Sequence, residues 1–143
     1  MSHLVRVVGL LLVVSAGAAH ADPCDDLRAL ALMPTATVAT HAGNADPDWF
    51  DDSERLSDLT LNAAPCTIGL NPGGGVAHVD CHLVLNDAAA VDPFFDAVDQ
   101  CLKDTATKLS RDPGQKDYIW TAAGTMVKIW VNAGTGINVR IVY

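Results

Sequence analysis

The sequence predicts an α+β domain: an antiparallel sheet of about four to six strands, helices packed mainly on one face, and two disulfides. Three observations carry this expectation. Strand-like segments come in pairs around glycine-rich turns, helix-like segments open on Asp-Pro, and all four cysteines follow residue 23. A length of 143 residues leaves room for one domain and excludes a multidomain enzyme.

Residues 1–21 read as a secretory leader rather than as part of the fold. Arg6 supplies the positive start, residues 7–19 are an apolar run, and Ala19-His20-Ala21 is a small-x-small cleavage site. That run is too short to span about 30 Å of hydrocarbon at about 1.5 Å per residue, so it is not a membrane anchor. The expected domain is therefore residues 22–143.

An exported chain with an even number of cysteines predicts a disulfide framework from Cys24, Cys66, Cys81 and Cys101. No C-x-x-C pair supports a zinc ribbon. Three pairings are possible, and two of them have a structural argument. Cys66–Cys81 with Cys24–Cys101 follows if Leu70 pairs with Ala77 across the turn. Cys24–Cys66 with Cys81–Cys101 follows if Cys101 faces the strand carrying Cys81. Each bridge is expected to contribute about 2–4 kcal/mol.

In chain order, residues 23–33 form the first expected helix, with Cys24, Leu27, Leu30 and Ala31 on one face and Pro34 as its stop. Residues 35–40 read as a short strand. Residues 47–59 read as a weak second helix on the spacing of Trp49, Phe50, Ser53 and Leu56. Residues 66–70 and 76–85 flank Asn71-Pro72-Gly73-Gly74-Gly75 as a hairpin. Residues 93–109 form the strongest helix, with an apolar stripe of Phe94, Phe95, Val98, Cys101, Leu102 and Leu109. Strands at 118–122, 126–131 and 137–143 complete the chain, the last two joined by the turn 132–136.

The acids are sixteen Asp and one Glu, within a formal charge of −8. Asp is a capping and turn residue, so this charge belongs to element ends and loops. An acidic chain lacks the cations that displace counterions from nucleic acid, and anionic lipid repels it. No nucleic-acid partner is expected, and no stable membrane insertion once the leader is gone. Half the cations outside the leader, Lys103, Lys108, Arg111 and Lys116, gather at one end.

Two groups of residues carry chemistry. Alternation in residues 76–85 places His78, Asp80 and His82 on one strand face. Neighbours there are about 6.5–7 Å apart, close enough to share a metal ion, while the two histidines are about 13 Å apart. In the C-terminal strands Lys128 and Trp130 share a face, and Arg140 joins them if register allows. Trp and Arg together are enriched at binding hot spots. The acids between Asp46 and Glu54 lack the ordered spacing of a calcium loop, and Gly73–Gly75 lacks the Lys and helix of a phosphate loop. No nucleophile elbow or zinc-protease motif calls for an enzyme, and no cofactor is expected.

These features predict a small secreted or periplasmic, disulfide-stabilised domain that acts by binding a protein or envelope component, with Trp130, Lys128 and Arg140 as the binding residues. The alternative is a metal-binding protein, or a small metal-dependent enzyme, using His78, Asp80 and His82.

Overall fold

The structure is a computed structural model that describes residues 23–104, 107–112, 117–122, 124–132 and 135–143. The predicted leader and Lys116 lie outside the described residues, as do the side chains of Lys108 and Arg111.

Two-residue alternation builds the sheet. In β4 (Val76–Val84), Val79, Cys81 and Leu83 are buried while His78, Asp80 and His82 take the other face. The same rule buries Val127 and Ile129 of β7 (Thr125–Asn132) and Ile137, Val139 and Ile141 of β8 (Gly136–Val142). These side chains form one core with Leu27, Leu30 and Ala31 of α1 (Pro23–Leu32), Val38 of α2 (Thr35–Thr40), and Phe95, Val98 and Leu102 of α3 (Val91–Leu102). The fold is α+β.

The remaining strands are β1 (Ala42–Ala45), β2 (Glu54–Leu61), β3 (Ala64–Leu70), β5 (Thr107–Asp112) and β6 (Asp117–Ala122). The sheet order is β1-β2-β3-β4-β8-β7-β6-β5, antiparallel throughout. Helix followed by four-stranded meander thus occurs twice, and the two halves meet along β4 and β8. The repetition is one of topology, with no matching repeat in the sequence.

Among the described residues the sheet has eight strands, where the sequence predicts about four to six. Strand β1, which the sequence leaves unassigned, and three local readings account for the difference. Residues 47–59 are not a helix: Asp46 Oδ1 accepts from the Asp48 amide at 2.9 Å, and Asp51 Oδ1 accepts from the Ser53 amide at 2.8 Å. Short polar side chains that bond neighbouring amides compete with helix formation, and the chain turns here and continues as β2. Residues 35–40 are helix α2 rather than strand, since the amides of Thr37 and Val38 both bond the Pro34 carbonyl. Helix α3 ends at Leu102 instead of Leu109, because residues 107–112 pair with β6, for example Lys108 opposite Trp120.

The disulfides are Cys66–Cys81 and Cys24–Cys101. Cys66 lies directly opposite Cys81 in the β3–β4 register, with Cα atoms 4.2 Å apart. Cys24–Cys101 ties α1 to α3, and Arg28 strengthens the junction by donating to the Cys101 carbonyl from Nε at 3.2 Å and Nη2 at 2.6 Å. That carbonyl is among the last of α3, where intrahelical donors run out and a cation is favoured. Two disulfides mark a chain that folds in an oxidising compartment. Among the described residues, no helix is long and apolar enough to cross a membrane.

The C-terminal Tyr143 pins the sheet to α1. Its hydroxyl donates to the Leu30 carbonyl at 2.7 Å, and its amide bonds the Ala77 carbonyl at 3.1 Å. Burial pushes its phenol from 10.0 up to about 12. The folded state thus favours the protonated form more than the unfolded state does. That contribution is complete below pH about 10 and is lost as pH rises through about 12. Tyr143→Phe is expected to flatten the alkaline fall in stability over this window, read as the urea midpoint against pH.

Candidate functional site

The sheet face turned away from the core is polar, and its side chains meet in rows across the strands. The first row runs from Glu54 on β2 over Gly69 on β3 to His78 on β4. Strands lie about 4.8 Å apart, so Glu54 and His78 start about 10 Å apart, beyond the reach of most side-chain pairs. Two features close the gap. Gly69 leaves the space above β3 empty, and a Cβ built there lands on the His78 ring. Glu54, the chain's single glutamate, is one methylene longer than the sixteen aspartates. His78 Nε2 therefore lies 2.8 Å from Glu54 Oε1, and Thr67 Oγ1 donates to Glu54 Oε2 at 3.1 Å. Glu54 is 6% exposed, and these two partners satisfy a carboxylate that would otherwise be costly to bury.

The second row places Thr67, Asp80, Arg140 and Lys128 opposite one another on β3, β4, β8 and β7. Arg140 donates to Asp80 through Nε at 2.7 Å and Nη2 at 2.5 Å. This is the two-pronged geometry that fixes a guanidinium against a carboxylate. The hydrogen bonds to Asp80 raise the Arg140 pKa, and partial burial opposes the rise. Asp80 Oδ2 also lies 3.4 Å from His78 Nε2, so the imidazole sits between two carboxylates.

The third row is His82, Asn138 and Trp130. His82 Nδ1 is 2.7 Å from Asn138 Oδ1, and the Arg140 guanidinium lies 5.9 Å from the centre of the Trp130 ring. Trp49, on the turn before β2, closes one side; it is 45% exposed and stacks on Phe50. Together these residues line a groove of about 300 Å³, with Asp46, Pro65, Thr67, Glu54 and Asp80 also in its wall.

No family model, curated protein or solved structure matches this chain.

Of the residues singled out from sequence, Trp130 and Arg140 meet as expected. Lys128 is beside Arg140 in register and exposed, but it does not line the groove. His78 and Asp80 converge, whereas His82 turns to Asn138 and stays out of that group. The reason is strand geometry, which keeps residues two apart about 6.5–7 Å from each other unless a third strand brings a partner between them. The partner is Glu54, which sequence reasoning left in a helix of acids. Its being the only glutamate was the available signal. Glu54 also leaves the expected group of acids between Asp46 and Asp52, because its side chain crosses β3 instead.

Proposed function

We propose that the protein is an exported, non-enzymatic binding module whose ligand, a saccharide of the cell envelope, seats in the groove on the open sheet face. The observation that carries this reading is the pairing of two tryptophans, Trp49 and Trp130, with a set of mutually fixed polar groups in one concave wall. Binding sites combine aromatic surface with a few placed polar groups. A sugar ring matches both parts: its C–H face packs on an indole, and each hydroxyl both donates and accepts. Arg140 and the Asn138 amide supply donors; Asp46, Asp80 and the Asn138 carbonyl supply acceptors. The Asp80–Arg140 and His82–Asn138 pairs hold these groups in place before the ligand arrives, which lowers the ordering cost of binding. The two disulfides and the leader-like residues 1–21 support a secreted or periplasmic location.

The test is calorimetric titration with soluble oligosaccharides released from the envelope glycan. Trp130→Ala is expected to weaken binding about thirtyfold, the equivalent of ~2 kcal/mol at a hot spot. Leu32→Ala, on the exposed side of α1, is the control and leaves affinity unchanged. If no oligosaccharide binds the wild type, or Trp130→Ala binds as well as wild type, the reading fails.

A further inference from the structure

We propose that Glu54, His78 and Asp80 bind a divalent transition-metal ion of the zinc or manganese kind at the edge of the groove. The three residues each offer one ligand atom, and these atoms all lie within 4.8 Å of one another. His78 Nε2 is 2.8 Å from Glu54 Oε1 and 3.4 Å from Asp80 Oδ2. Ligand atoms around a tetrahedral ion at about 2.0–2.2 Å are themselves about 3.3–3.6 Å apart, so small side-chain shifts admit the ion.

The donor chemistry narrows the ion. An imidazole nitrogen with two carboxylates suits zinc, manganese or ferrous iron and is a poor match for calcium or magnesium, which take oxygen donors. A cation between Glu54 and Asp80 also relieves the repulsion of two carboxylates held this close.

The surroundings hold the ligands in place. Thr67 binds the outer oxygen of Glu54, and Arg140 Nε binds the outer oxygen of Asp80. Such outer contacts orient metal-binding carboxylates. Asp80 Oδ2 receives Arg140 Nη2 on one lone pair and keeps the other for the ion. Three protein ligands leave one position open, and Glu54 and Asp80 both line the groove, so this position is open to a water or a ligand group. Nothing in this depends on the saccharide reading, which rests on the tryptophans.

The experiment is calorimetric titration of the chelator-treated protein, disulfides intact, with zinc chloride and separately with manganese chloride. The expected result is saturable binding of one ion per chain at micromolar metal, with a matching rise in melting temperature. Glu54→Gln keeps the shape of the buried side chain and is expected to weaken binding about 100-fold, as is His78→Ala. Gly69→Ala, which pushes the His78 ring off Glu54, is expected to do the same, with circular dichroism showing that the sheet is intact. His82→Ala is expected to bind as wild type. Absence of saturable binding with either ion overturns the proposal. So does wild-type affinity in Glu54→Gln, and so does loss in His82→Ala alone.

Discussion

Replacing Cys24 and Cys101 together with alanine is expected to destabilise the protein by about 4.5 kcal/mol, the chain-entropy value for a bridge closing 77 residues. The same treatment of Cys66 and Cys81, which are 15 residues apart, is expected to cost about 3 kcal/mol. The order matters more than the absolute values. Cys66 and Cys81 already face each other across a hairpin held by its own backbone ladder. Cys24–Cys101 joins the first helix to the third across 77 residues, and without it α1 keeps Arg28 on the Cys101 carbonyl, Asp26 on the Asn62 amide, and the packing of Leu27 and Leu30. Urea unfolding of both double variants gives the two numbers. A larger loss from the Cys66–Cys81 pair would mean that the helix layer is held mainly by packing.

Phe95→Ala is expected to cost about 4 kcal/mol, within the range for emptying a buried phenylalanine site. Phe95 is fully buried at 0% exposure, in the single core shared by α3 and the sheet, with its ring edge-on to Phe94 at 5.9 Å. Phe94 is only partly buried, so Phe94→Ala is expected to cost clearly less. Chemical denaturation with an unchanged slope and a lowered midpoint would show that stability fell without a change in the surface exposed on unfolding. Equal losses at the two positions would contradict the assignment of Phe95 as the side chain that seats α3.

Helix α3 and strands β4, β7 and β8 were legible because their apolar residues recur at one clear period, and a buried face tolerates no other phase. The stretch from Asp46 to Leu61 was not. Trp49, Phe50, Ser53 and Leu56 mimic helical spacing, yet Asp46 and Asp51 turn back to their own backbone and end any helix. The hairpin that follows was also silent: Asn62 and Ala63 both adopt positive φ, 49° and 63°, without the glycine that normally announces such a turn. A reading that makes residues 47–59 helical has no β2, and without β2 Glu54 is not placed beside β3, across which it reaches His78.

The candidate site divides along the same line. Alternation alone put His78, Asp80 and His82 on one face, and Lys128 and Trp130 on another strand's polar face, because side-chain direction in a strand depends only on local backbone geometry. Which of those residues touch was decided by register. The β2–β3 pairing slips between Leu56 and Thr60, and this slip sets Glu54 opposite Gly69. Gly69 in turn faces His78. Composition and period therefore determined the fold class, the buried face and the two favoured pairings among the three open to the cysteines. Only the tertiary structure selected one pairing and joined glutamate, imidazole and aspartate, since contact across strands depends on turn lengths and bulges that no single strand encodes.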